Sequence, residues 1–160
     1  MSGEAALAGS FDVRCQDAFD AHWDDVFRFA LAWTNDWAAA EDLAQETFLR
    51  LWRTRATLDW SRPVLPWLLV ATRRLATNRF HALRRSILPR RAEPSSDEAV
   101  RARWLDVQAA MARLSPLERT AIVLTAIEGR PYAEVAQTLG TSDGALRAAV
   151  SRARQKLEVA

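Results

Sequence analysis

The side chains best equipped for chemistry in this sequence are arginines, and their spacing points to binding rather than bond-making. In PYAEVAQTLGTSDGALRAAVSRARQKL, residues 131–157, Arg147, Arg152 and Arg154 follow a glycine-containing turn. A guanidinium offers a planar fork of donors that pairs bidentately with phosphate oxygens and with the O6/N7 edge of guanine. Of the 22 basic residues only Lys156 is a lysine, which suits a nucleic-acid partner; a GC-rich codon bias explains the same preference equally well. Catalytic chemistry has no comparable footing. His22 and His81 are isolated, the carboxylates are scattered, and no nucleophile stands near a base in any recognisable motif. Cys15 is alone, so neither an intramolecular disulfide nor a cysteine–histidine zinc spacing can be built. The expectation is a binding protein, not an enzyme, with no cofactor and no metal.

The elements that must carry those arginines read as a helix-turn-helix, with a short helix over 131–139 and a longer one over 143–157. Ala136 is small where two helices must approach, Gly140 suits a turn that needs positive φ, and Ser142 can cap the second helix. Leu146, Val150, Ala153 and Leu157 recur at helical period and form its inward stripe. With that stripe inward, Arg147, Ala148, Ser151, Arg152, Arg154 and Gln155 face out. The step from Arg147 to Arg154 is ~10 Å along the axis, a fit to a major groove ~12 Å wide.

Charge is distributed in blocks. Residues 1–60 carry 5 basic and 11 acidic groups, 61–91 carry 8 Arg and no acid, 92–143 carry 5 against 8, and 144–160 carry 4 against 1. Two basic stretches separated by acidic ones imply two contacts with a polyanion. Hydrophobic content of 49% supports true cores, and the 5 Gly and 6 Pro among many Ala, Leu and Arg favour helix over sheet. The N-terminus lacks a basic stretch followed by an apolar run, and no apolar run approaches a membrane span, so a cytoplasmic location is expected.

The fold class expected is all-α, two small helical domains joined by a flexible linker. The first domain spans 11–85. Phe19, Trp23, Val26, Ala30 and Trp33 set a first helix over about 13–33. Asn35 and Asp36 offer an N-cap for a second over about 37–55, and after a break at 58–63, Pro66 opens a third running to about residue 85. Residues 86–99, SILPRRAEPSSDEA, form the linker. Its extended reach of up to ~43 Å exceeds the ~34 Å of one DNA turn, so each domain could touch a separate site on one duplex. The second domain spans 100–160. Trp104, Val107, Met111 and Leu114 restart the helical period, and Ser115, Pro116 and Glu118 make a capping-box signature for a helix closing near Gly129.

The C-terminal segment, with LSPLERTAIVLTAIEG before it, resembles the fourth conserved region of bacterial RNA polymerase sigma factors. AEDLAQETFLRLWR, residues 40–53, resembles their second region, and the order, linker and length are similar to the extracytoplasmic-function group of the sigma-70 family. The resemblance covers residues 15–158. It implies that the chain binds core RNA polymerase through Asp42, Gln45, Glu46, Leu49 and Arg53. On the residues alone this outer strip of the second helix suits a protein contact and not DNA, whose phosphates would repel Asp42 and Glu46. The resemblance further implies that Arg73, Arg74, Asn78, His81 and Arg84, with Ser61 and Arg62 of the preceding loop, meet the minus-ten element of promoter DNA. Thr141, Arg147, Ala148, Ser151, Arg152 and Arg154 would meet the minus-thirty-five element, Arg147 and Arg152 supplying most of the contact. Many relatives carry Asn at the position of Arg74 and polar or basic residues at those of Ala148 and Ala149, so both alanines here remove possible bonds to the duplex. An anti-sigma factor is a further partner the resemblance implies.

Trp23, Trp33, Trp52 and Trp67 fall on apolar stripes and are expected in the core, with Trp60 left open as a stacking surface. Two other readings compete with polymerase recruitment. An operator-binding helix-turn-helix regulator would need no helix like 42–53, and a helical adaptor would use its basic patches on acidic proteins rather than DNA.

Overall fold

A computed structural model describes residues 2–83 and 98–158, with side chains over 9–78 and 98–158; the linker, Arg84 and the side chain of His81 lie outside those described residues. The elements are helical throughout: α1 (Ser2–Thr34), α2 (Trp37–Thr54), α3 (Val64–Leu83), α4 (Glu98–Ala112), α5 (Pro116–Ile122) running into a π-helical turn (Val123–Ile127), α6 (Tyr132–Leu139) and α7 (Asp143–Glu158).

Local chemistry sets most boundaries. Asn35 takes a left-handed φ of 55° that turns the chain out of α1, and the Asp36 carboxylate then accepts from the Ala39 N–H at 2.7 Å to cap α2. Ser115 and Glu118 bond reciprocally to each other's backbone N–H groups, at 3.2 and 2.9 Å, with Pro116 following the cap. Ser142 caps α7 through the Ala145 N–H at 3.1 Å. α1 begins eleven residues before the expected start, and toward its N-terminal end Asp12 pairs with Arg55, the residue that closes α2, at 2.9 Å.

α1, α2 and α3 form the first module. Val26, Ala44, Phe48, Leu51 and Leu68 make its central cluster, with Ala30, Ala40, Leu43 and Ala76 beside it. Thr47 of α2 and Thr72 of α3 meet at 3.1 Å inside this core, and each buried hydroxyl also reaches a carbonyl of its own helix, Leu43 O at 2.9 Å and Leu68 O at 2.7 Å. In the second module Ile122 of α5 and Leu114 of the turn before it pack on Ala153 of α7.

The two modules are in contact. Phe29 of α1 and Leu69 of α3 belong to the same buried cluster as Leu124, Val135, Ala136, Leu139, Leu146 and Val150 of the second module. α4 contributes no buried residue: the period seen in the sequence is helical, yet Val107 is 50% exposed. The face it does use is turned to the first module, with Trp104 edge-on to Trp37 at 5.8 Å and Gln108 on Asn35.

Candidate nucleic-acid interface

α7 presents its outer face as read from the sequence. Leu146, Val150 and Ala153 are buried and Leu157 is half-buried, while Arg147, Ala148, Ser151 and Arg154 are exposed, with Thr141 half-buried in the turn. Ala149 is fully buried, which corrects its reading as a lost DNA contact: it packs in the cluster with Phe29, Leu124, Leu146 and Val150. Positions 146, 149, 150 and 153 complete the helical period, so that signal was present. Arg147 is held by two neighbours: its Nε donates to Asp143 at 2.8 Å, and its guanidinium lies 4.6 Å from the centre of the Tyr132 ring. It lines one shallow concavity with Ser151, Arg154 and Gln155.

Arg152 is turned differently. Although 54% exposed, it gives its Nε to Glu118 at 3.3 Å, and Lys156 reaches the same carboxylate at 2.8 Å. Burial by itself pushes the Glu118 carboxyl up, but hydrogen bonds from Lys156, the Ser115 N–H and Arg152 outweigh it and hold the group at about 2, from an ordinary 4.5. Because the folded-state value is the lower one, this carboxylate stabilises the fold above about pH 4.5 and loses that contribution as pH falls toward about 2. Glu118→Gln is therefore expected to melt below the parent at pH 7 and to converge with it as pH is lowered through that window. A thermal denaturation series across pH checks this; a gap independent of pH would assign the effect to packing.

The turn between α6 and α7 rests on Gly140, whose φ is +64°. A Cβ there would stand 3.1 Å from Nη1 of Arg73, across the module boundary. Gly140→Ala is expected to cost about 1–2 kcal/mol from the left-handed backbone, seen as a fall in melting temperature of roughly 2–8 °C.

On α3, Asn78 and Arg74 are exposed, but Arg73 is half-buried under the Gly140 turn and its Nε is buried with no hydrogen-bond partner. Arg74 opens into a groove of about 370 Å³ shared with Arg50, Trp67, Glu134, Gln137 and Thr138. In the loop before α3, Asp59 accepts from the Ser61 N–H and hydroxyl and pairs with Arg62 at 3.4 Å; the Ser61 hydroxyl is the main cause holding its carboxyl below the usual range. Trp60 is pinned, its Nε1 donating to the Arg55 carbonyl at 2.8 Å.

Asp42, Gln45, Leu49 and Arg53 are exposed along α2, with Glu46 half-buried. Beside them lies a feature that the sequence reading missed. Gln45 and Leu49 share an apolar groove with Cys15, Phe19, Phe48 and Trp52, between α1 and α2. Leu49, Trp52 and Phe19 are 53%, 42% and 39% exposed, so Trp52 belongs to a surface and not to the core. An apolar stripe names a shared face; what covers it is decided by the neighbouring helix.

Comparison with known proteins identifies the family. The family described as sigma-70 region 2 matches residues 18–86, and sigma-70 region 4 matches residues 104–157. The chain belongs to the sigma-70 family of RNA polymerase sigma factors. Within it, the chain falls in the extracytoplasmic-function (ECF) group: it is 32% identical over 161 residues to the ECF RNA polymerase sigma factor SigC of Mycobacterium tuberculosis, covering 96% of this chain and 86% of that one. It is 36% identical over 157 residues to the probable RNA polymerase sigma factor RfaY of Xanthomonas campestris, covering 88% of this chain. To the ECF sigma factor SigE of Mycolicibacterium smegmatis it is 32% identical over 171 residues, covering 98%. The chain spans 39% of the length of RfaY and 63% of that of SigE. Among solved structures, CnrH in complex with the cytosolic domain of CnrY superposes at a TM-score of 0.70 with 28% identity, over 97% of this chain and 92% of that one. The sigma factor RpoE in complex with the anti-sigma factor NepR from Bartonella quintana shares the fold, at a TM-score of 0.70 and 23% identity, over 89% and 93% of the two chains. No helix among the described residues is long and apolar enough to cross a membrane.

Proposed function

We propose that the protein is an ECF sigma factor that binds core RNA polymerase and directs it to promoters from the cytoplasm, without chemistry of its own. The observation that carries this is the pairing, in family order, of an exposed acidic and apolar strip on α2 with an exposed arginine face on α7. The first surface suits a protein and repels phosphate; the second suits phosphate and base edges.

In this reading Asp42, Gln45, Glu46, Leu49 and Arg53 dock on polymerase, and the groove of Phe19, Leu49 and Trp52 supplies the apolar centre that such an interface needs. α7 enters the major groove of the minus-thirty-five element, with Arg147, Ser151 and Arg154 toward the bases and phosphates. α3 and the 61–62 loop serve the minus-ten element, where an extruded base is captured by stacking and edge hydrogen bonds. The family resemblance makes an anti-sigma factor the expected regulator, and the solved relative CnrH, in complex with the cytosolic domain of CnrY, supports a partner of that kind. Transcription in vitro with purified core polymerase tests the reading. Core with the chain should initiate at discrete promoters where core alone does not; failure of the two to co-elute, with any inhibitor absent, would leave an ordinary DNA-binding regulator.

A further inference from the structure

Two arginines on the outer face of α7 are held in different ways. Arg147 donates from Nε to Oδ2 of Asp143 at 2.8 Å and lays its guanidinium 4.6 Å from the centre of the Tyr132 ring. It is thus gripped both from its own helix and from the first turn of α6. Its Nη1 and Nη2 keep no protein partner among the described residues, and they stand beside a shallow concavity lined also by Ser151, Gln155 and Glu158. Arg154 lines the same concavity with neither a carboxylate nor a ring against it among the described residues.

The Arg147–Asp143 pair does little for the fold. Both side chains are open, 63% and 50% exposed, and an exposed ion pair one turn apart along a helix adds little stability. On a face that meets DNA the carboxylate also carries a penalty, because phosphates repel it. What the pair does supply is direction. A freely moving guanidinium near a duplex is drawn to phosphate, a contact that carries no sequence information. A base edge is neutral, and it is read by an arginine whose direction is already set. With Nε taken by Asp143 and the plane set against Tyr132, the fork left open is Nη1 and Nη2, and that fork matches O6 and N7 of guanine.

We propose that Asp143 is a specificity-determining positioning residue: it fixes Arg147 as the reader of one guanine in the minus-thirty-five element, and its charge disfavours sites where no guanine answers. Arg154, unrestrained, takes a phosphate and sets register. The inference rests on the reading of α7 as the helix that enters the major groove. It divides affinity from discrimination: removing Asp143 tightens binding to DNA in general while it weakens the choice of sequence.

The test uses holoenzyme reconstituted from the full chain and purified core polymerase, with a duplex library randomised over the upstream promoter stretch. Bound duplexes are recovered and sequenced, and affinity for the unselected library is titrated in parallel. The parent should enrich guanine at one upstream position by about tenfold or more, and Arg147→Ala should lose that enrichment. Asp143→Ala should cut it to less than about threefold and keep the other preferences of the selected site. The same variant should bind the unselected library about twofold to threefold more tightly, a gain that fades as salt is raised. Asp143→Asn keeps an oxygen for Nε without the charge, so it should share the tighter general binding and recover most of the guanine preference. Since Ser142 still caps α7, melting temperatures should stay close to the parent's. A guanine preference kept in full by Asp143→Ala overturns the proposal. So does a loss of general affinity together with every preference, which would make Asp143 a helix-stabilising residue only. If Arg147→Ala itself changes no upstream preference, the reading of α7 fails and takes the proposal with it, an outcome distinct from the other two.

Discussion

Leu49→Asp is expected to reduce binding to core polymerase by about 30-fold to 1,000-fold, the ~2–4 kcal/mol typical when an anchor at the centre of an interface is lost. The size follows from the surroundings. Leu49 is 53% exposed in the free chain, so replacing it is expected to disturb the fold little, yet it stands in the groove with Phe19, Phe48 and Trp52. Docking would bury the new carboxylate among aromatic rings with no partner, a desolvation cost that rim residues such as Arg53 do not incur. Fluorescence titration of labelled protein against purified core polymerase measures the loss, and an unchanged thermal melt excludes unfolding. Parental affinity in this variant would move the polymerase contact away from α2.

The second large effect concerns DNA. Arg147→Ala combined with Arg154→Ala should weaken promoter-specific initiation at least about thirtyfold, taking about 1–3 kcal/mol for each arginine. The two residues lie ~10 Å apart along α7, far enough for their losses to add. Arg147 is the stronger of the pair because Asp143 and Tyr132 already hold its guanidinium in place, so little side-chain freedom remains to be lost on binding. Binding to core polymerase should remain parental, and the salt dependence of duplex binding should become shallower by about one unit of slope for each phosphate contact removed. Full activity in the double variant would take α7 out of the major groove and leave the second module a purely structural role.

The arginine face of α7 and the apolar groove beside α2 differ in how far they were legible. The α7 face was legible because every signal for it is local: Gly140 for the left-handed turn, Ser142 for the cap, and the period of Leu146, Val150 and Ala153 for the buried side. Ala149 was misjudged although it completes that period. The apolar groove was not legible. Phe19 and Trp52 keep the helical spacing of core residues, and nothing in the spacing says that α1 and α2 diverge enough to leave them half open. Arg152 was placed on the outer face correctly, but its bond to Glu118 requires α5 and α7 to lie side by side, which two segments 34 residues apart do not announce.

By itself the sequence determined the helical fold and the outward arginines of the second module, because caps, turns and periodicity act between residues a few positions apart and carry through to any tertiary arrangement, while the two sigma regions were legible from the resemblance of their motifs. Only the tertiary structure decided that the modules touch, that Arg119 sits on the open end of α1, and that Arg73 lies under the Gly140 turn. The named arginine contacts join residues 67 to 87 positions apart. A buried arginine or a covered one has the same letter as a solvated one. Its role comes from the carbonyls and backbone that distant helices bring to it, and no pattern within one helix encodes which distant element will arrive.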